Sequence, residues 1–589
     1  MIVKPTNSYA YDGDGAAGFW GGASITVKSG ATLDFQKIFA VSRNVPITVD
    51  CGTLTFTQAS YVHDLTLNSA LVNGNQIIYT GINGTPVWKV KGEASTIYNT
   101  VEPLRSGSNT TFTVNFDSGA SLDMKGIIRG LNIKGTDVFF NGIGENPGHL
   151  KLYATATNNI MSGLGAITIN NMNVTLTGGG DIGYLPNGYF SDSTTVSLKD
   201  SSLTTDLWHT TNTTTFTLDH SSLIFDGNVT SYIDKIYLKN GSTIAGKTLG
   251  DSFNTGAIWN STFYTENGTT ENVMNYISAD IKMVHTNSDC TITFNIADKA
   301  PLTVSGSFIP GGDGQYNAIV KNGAGTLTLS GANTYEGGVT VSAGVLQLIG
   351  NAIDNDKGIF TVNDGGTLEY NVASGEKTLE FTNAAYVLGN GDILKTGEGR
   401  LKINTDQLTG DLHFTTDNFV VTSGRVDLEG YMLGNIEVDA NTVFSPGNSI
   451  GESTFGGGYI LKDGATLLLE VGKEGDTILT DVLNVTGSTT FEDGAIIKIA
   501  LDSSYDNAFE DGDQADIQLP LGILGGEGNA LDMGNLVFQS SMFDLVGYDA
   551  GTGVLSVVYS APAAGVPEPS TWVLLLLGAA GLLYVRKRK

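Results

Sequence analysis

Apolar residues recur two apart in short runs along this chain, and a polar turn interrupts each run. Three such segments align at a spacing of 20 residues: VSLKDSSLTTDL from Val196, FTLDHSSLIFDG from Phe216 and IYLKNGSTIAGK from Ile236. Val196, Leu198 and Leu203 match Phe216, Leu218 and Leu223; Ile236 and Leu238 follow in the third segment, where Ile244 sits one position late. Period-two alternation turns one face of each strand inward. Leu198, Leu218 and Leu238 should therefore stack inside, while Lys199, Asp219 and Lys239 face out. The turns at Asp200, His220 and Asn240 should carry the chain into the next strand.

Looser copies recur elsewhere: ITVKSGATLDF from Ile25, ITVDCGTLTF from Ile47, FTVNFDSGASLDM from Phe112, FTVNDGGTLEY from Phe360 and YILKDGATLLLEV from Tyr459. A period near 20 built of short strands and turns is what stacked solenoid coils require. A β-sandwich of independent domains would also alternate, but it would not repeat one strand-turn-strand unit from Ile25 to beyond residue 490. The pattern predicts an all-β fold, a right-handed parallel β-helix of about 25 coils with a single hydrophobic helix at its C-terminal end. At a strand spacing of about 4.8 Å that makes a rod of roughly 120 Å.

Composition narrows the partners. Sixty acidic against 31 basic residues give a net charge of −29, which argues against nucleic acid and against anionic membranes as partners of the body. Only 15% of residues are charged and 40% are hydrophobic, so the chain can bury a core and is no disordered acidic tail. The 77 glycines, with abundant Ser, Thr and Asn, suit short strands joined by tight turns. Cys51 and Cys290 are the only cysteines. Many coils lie between them, and a disulfide needs Cα atoms within about 7 Å, so no bridge is expected.

The last residues read VPEPSTWVLLLLGAAGLLYVRKRK from Val566. The run Thr571, Trp572, Val573, Leu574, Leu575, Leu576, Leu577, Gly578, Ala579, Ala580, Gly581, Leu582, Leu583, Tyr584 and Val585 carries no charge and would give a helix of roughly 22 Å. That is short for a hydrocarbon core of about 30 Å. Arg586, Lys587, Arg588 and Lys589 should stay cytoplasmic, placing the body across the membrane. This order resembles the PEP-CTERM sorting signal of Gram-negative bacteria, with Val566, Pro567, Glu568 and Pro569 in the motif. The resemblance implies export to the cell envelope or surface, transient anchoring in the inner membrane, and cleavage near the motif by an exosortase-type enzyme. The start, MIVKPTNSYAYDGDGAAGFWGG, has no basic stretch followed by an apolar run. An exported protein needs such a leader, so the given start is expected to be internal or its reading frame truncated.

A second resemblance begins at Ile319, in IVKNGAGTLTLSGANTYEGGVTVSAGVLQL. Gly323, Gly325, Thr326, Leu327, Leu329, Gly331, Asn333, Thr334, Tyr335, Gly337, Gly338, Gly344 and Leu346 resemble the autotransporter-associated β-strand repeat. A degraded copy, ILKTGEGRLKI from Ile393 with VVTSGRVDLEG from Val420, keeps Gly397, Gly399, Leu401 and Gly424. Autotransporters of that family end in an outer-membrane barrel. Only about 60 residues lie between position 500 and the sorting tail, too few for a typical eight-stranded barrel with its loops. The expected organisation is therefore degenerate coils over 1–300, the repeat region over 301–500, a C-terminal β segment over 501–560, a linker over 561–570 and the sorting helix with its tail over 571–589.

Candidate chemistry is sparse. Gly447, Asn448, Ser449, Ile450 and Gly451 match G-x-S-x-G, but that nucleophile elbow needs a following helix and a later histidine. All six histidines (His63, His149, His209, His220, His285 and His413) precede Ser449, and the next residues are glycine-rich. The acidic turns at Asp12–Gly15 and Glu510–Asp513, with Asp516, raise calcium as a ligand, but counted from Asp12 the twelfth position that an EF-loop fills with Glu is Ala23, and solvated turns are the expectation. Asp200, Asp219 and Asp226, with Asp206 and His209, lie on neighbouring coils and would need to converge to act as a carboxylate site; Trp208 and Tyr232 could form a sugar platform. No catalytic residue, metal site or cofactor is expected. The reading is a non-catalytic exported surface protein, adhesin-like or an envelope or matrix scaffold, that contacts glycans or extracellular matrix. The alternative is a β-helical polysaccharide lyase or glycoside hydrolase at the same location.

Overall fold

The computed structural model describes residues 2–3 and most of 24–561. Not described are residues 1, 4–23, 75, 127 and 506, the segments 37–44, 81–84, 104–109, 129–135, 155–164, 179–194, 206–213, 227–232, 247–260, 269–272, 284–289, 311–316, 334–336, 354–357, 383–385, 409–413 and 526–530, and 562–589. The chain divides into two compact units, Met1–Asn371 with Ala384–Asp392, and Val372–Asn383 with Ile393–Lys589.

In the first unit sixteen strands, from Ile25–Val27 to Tyr386–Gly389, form one parallel sheet. A second parallel ladder runs from Ile2–Val3 through Thr32–Phe35 to Gly366–Asn371. Consecutive strands, such as those from Ala166 to Gly246, fall alternately in the two, so each coil adds one strand to each, the pairing expected of a β-helix. Val196 pairs with Phe216 and Phe216 with Ile236, while Leu198, Leu218 and Leu238 follow in register. On the opposite ladder Leu203 pairs with Leu223 and Leu223 with Ile244, the late residue falling in place. These nine side chains are at most 1% exposed, and each contributes roughly 1.5–3 kcal/mol by leaving water. Aromatic residues stack between coils, as Phe263 does on Phe294 at 5.1 Å.

The turns repeat as faithfully as the strands. Asp200, His220 and Asn240 all have positive φ, 49°, 49° and 55°, a conformation that Asn, Asp and His tolerate better than other side chains. One residue further round, Ser201 and Ser221 are buried, and Ser242 lies at the matching point of the third coil. The Ser201 amide donates to Ser221 Oγ (3.1 Å), the Ser221 amide to Ser242 Oγ (3.2 Å) and the Ser242 amide to Asn275 Oδ1 (3.0 Å). This internal polar ladder satisfies backbone groups that the corner takes off the sheets. Cys51 is exposed and Cys290 buried, and no disulfide joins them, as the spacing predicted.

The second unit has coils of unequal length. Arg400 pairs with Arg425, Arg425 with Val443, Val443 with Thr466 and Thr466 with Ile496. The strand Arg425–Val438 bends at Gly430 and Gly434 and pairs with three successive strands. The unit ends in antiparallel pairing: Gln514–Gln518 lies against Val554–Tyr559, which lies against Phe543–Asp549. Among the described residues no helix is long and apolar enough to cross a membrane; Thr571–Val585, where a helix is expected, lies outside them.

Candidate functional site

The residues carrying the clearest sequence signal, Val566, Pro567, Glu568 and Pro569 with the apolar run and Arg586–Lys589, lie outside the described residues. So do Asp206, Trp208, His209, Tyr232, Asp12 and Asp14.

The remaining candidates are bonded into the structure. Gly447–Gly451 joins the strand Val443–Pro446 to the strand Glu452–Phe455, so a strand stands where a nucleophile elbow needs a helix. The Ser449 hydroxyl donates to Asp502, and the Ile450 amide reaches the same oxygen at 3.1 Å. Asp200 sits at a corner with its Oδ1 2.9 Å from His220 Nδ1, and Asp219 Oδ1 accepts from Asn240 Nδ2. Asp226 lies beyond the intervening strand Ser222–Phe225, roughly 13 Å along. Asp200 and Asp219 thus neighbour one another at a corner, and Asp226 does not join them. In the C-terminal acidic turn Asp513 accepts Lys473 Nζ at 2.6 Å and the Glu510 amide at 2.8 Å. Asp516 accepts Ser556 and Gln514, and Asp511 the Ala561 amide. These oxygens are already engaged by protein donors.

Two sets of buried charges escaped the sequence reading. In the second unit Asp427 is fully buried between Arg400 and Arg425, with Arg425 Nη2 at 3.1 Å. Arg400 also reaches Glu376 at 3.1 Å. Nearby, Asp481 accepts the Gly451 amide at 2.9 Å and the Glu470 amide at 2.7 Å. Burial pushes the Asp481 carboxyl up to about 8 against the pull of those two amides. Burial also raises Glu470. At Asp502 burial pulls upward, but donors from Ser449, Ser504 and Ile450 outweigh it and hold the group below the ordinary range. The second set is Lys321 and Lys395, both fully buried and pointing inward where alternation calls for an apolar residue. Burial lowers both ammonium groups to about 8. The signal was present: IVKNG and ILKTG place a lysine at the same point of both repeat copies.

Comparison with known proteins bears on both ends of this description. The passenger-associated-transport-repeat model matches residues 319–348, where Ala318–Asn322, Thr326–Leu329, Val339–Val341 and Gly344–Ile349 form strands of the two ladders. The PEP-CTERM protein-sorting motif matches residues 565–589. The adhesin BmaC autotransporter of Brucella suis biovar 1 (strain 1330) is 28% identical over 203 residues. That match covers 29% of this chain and spans only 6% of the relative's length. The chain thus carries a passenger-type repeat inside its β-strand ladders and a PEP-CTERM sorting motif after them, a pairing that goes with an exported, surface-directed protein.

Proposed function

We propose that this chain is a non-catalytic, surface-displayed protein built on a right-handed parallel β-helix, with an adhesin-like or envelope-scaffold role and direct contact with glycans or extracellular matrix. The observation that carries the reading is the continuity of its outer face. Thr168, Ser197, Thr217, Tyr237, Tyr264 and Asn295 follow one another in register on successive strands, half-buried and polar. Such a ladder offers hydrogen-bonding groups at intervals of about 4.8 Å, a spacing suited to an extended polymer. The similarity to an adhesin supports the same class. Asp200 and Asp219, each bonded to a neighbouring side chain, give the enzyme alternative no free carboxylate pair.

Delivery rests on the C-terminal signal. The apolar run over 571–585 holds the chain in the inner membrane, and an exosortase-type enzyme removes it by cleaving near Val566–Pro569. In the native host Glu568→Ala should leave an uncleaved, membrane-retained form, and tail peptides containing Trp572 in the mature surface protein would overturn the processing step. For the body, the purified chain should be retained on acidic or mucin-type polysaccharide without changing it. Release of oligosaccharide would replace this reading with the β-helical lyase or hydrolase.

A further inference from the structure

We propose that Lys321 and Lys395 are coil-docking clasps, each ammonium held by two carbonyls of its own turn and taking a third from the coil that follows. Lys321 Nζ donates to Asn322 O at 3.0 Å, Gly323 O at 2.7 Å and Ala343 O at 2.9 Å. Lys395 Nζ donates to Thr396 O at 3.0 Å, Gly397 O at 2.7 Å and Ser423 O at 2.9 Å. An ammonium has three protons, and here each is used. A lysine that had merely found nearby acceptors would not choose the same three positions, at matching distances, in two separate units.

The glycines around the clasp repeat with it. Gly323 and Gly397, two residues after the lysine, have φ of 78° and 77°. The third acceptor always immediately precedes a left-handed glycine of the next coil, Gly344 (φ 65°) or Gly424 (φ 74°). A Cβ on Gly344 would lie 2.5 Å from Gly323 O and 2.7 Å from Gly325 O; on Gly424 it would lie 2.6 Å from Gly397 O and 2.4 Å from Gly399 O. The next coil therefore settles directly onto the clasped turn, and only glycine lets it come close enough.

The three bonds are unequal in sequence separation. The first two span one and two residues, so they can form as soon as the strand ends and its turn closes. The third spans 22 residues at Lys321 and 28 at Lys395. Each turn thus presents a prepared, charged donor that is completed only when the following coil docks. The device acts in one direction along the chain, toward the C-terminal neighbour. It goes beyond the surface role proposed above and does not depend on it.

Native-state amide exchange on the full chain tests the direction. Lys321→Met keeps the length and loses the donors. It should speed exchange in the following strand, Gly344–Ile349, by about tenfold or more, and leave the preceding strand, Thr291–Asn295, within about twofold. Lys321→Arg should fall between the variant and wild type. Equal loss on both sides, or no loss on either, would overturn the proposal. Should Lys321→Met fail to fold, wild-type chain supplies a second readout: Lys321 and Lys395 should acetylate at least about tenfold more slowly than the exposed Lys28 and Lys151. Labelling at the rate of the exposed lysines would overturn the clasp.

Discussion

Between Thr195 and Gly246 the first unit steps by 20 or 21 residues per coil, and its interior is almost wholly apolar apart from the serine corner. In the second unit the row Arg400, Arg425, Val443, Thr466 and Ile496 steps by 25, 18, 23 and 30 residues, and it closes over Asp427, Asp481 and Asp502. Coil length is the variable behind the difference. Equal coils stack identical corners, so one serine per turn, each accepting an amide from the coil before, is enough to satisfy the backbone there. Unequal coils carry spare segments, such as the turn 447–451, and these settle over a strand face and bury whatever it carries. Charges caught in that way must be paired at once, because an isolated buried charge costs several kcal/mol.

The comparison is broken most directly at Leu218. Leu218→Asp would bury a carboxylate between Leu198 and Leu238 and should cost about 4–5 kcal/mol in denaturant unfolding. A cost below about 1 kcal/mol would mean that the register of the first unit is wrong. In the second unit Asp427→Ala leaves two guanidinium groups without their shared carboxylate and should cost about 3 kcal/mol. Replacing Arg400, Arg425 and Asp427 together by apolar residues should recover most of that loss, which separates pairing from packing.

Between about pH 4 and pH 8 the response should belong to the second unit. Asp481 holds its proton up to about 8 in the folded chain against 3.8 in its ordinary state. Between those values the folded chain binds a proton that the unfolded chain has released, so stability falls as pH rises from about 4 to about 8. Thermal unfolding at pH 5 and pH 8 should show wild type losing at least about 2 °C at the higher pH, with Asp481→Asn flattening the slope. A smaller effect is expected at the serine corner. Ser221→Ala removes the acceptor of the Ser201 amide and should cost about 1–2 kcal/mol by thermal unfolding. Smallest of all, Asp219→Asn keeps an acceptor for Asn240 and should stay within about 0.5 kcal/mol.

The strands and corners of the first unit were legible because alternation and a constant period report directly on which side chain faces inward. Even the displacement of Ile244 could be read one residue at a time. The serine ladder was visible only as polar turn residues, since nothing in a sequence distinguishes a serine facing solvent from one accepting an amide inside a corner. Lys321 and Lys395 left a clear trace as charged residues at inward positions of two aligned copies. Contacts such as Ser449 with Asp502, 53 residues apart, were illegible because they depend on how far each unequal coil travels before it returns. For the sorting signal the situation is reversed. Pro567, Glu568, Pro569 and the basic tail speak through sequence alone.

A parallel ladder has no natural last rung. Its final strand offers a row of unpaired amides and carbonyls to any strand that arrives, including the first strand of an identical molecule. In the second unit the chain reverses once at that point: Val554–Tyr559 lies between Gln514–Gln518 and Phe543–Asp549 and runs antiparallel to both, with Tyr559 stacked on Phe509 at 5.3 Å. A newcomer at Val554–Tyr559 finds that strand already paired along both edges. The last described strand therefore closes its ladder as an inner strand, with no open row of its own to extend.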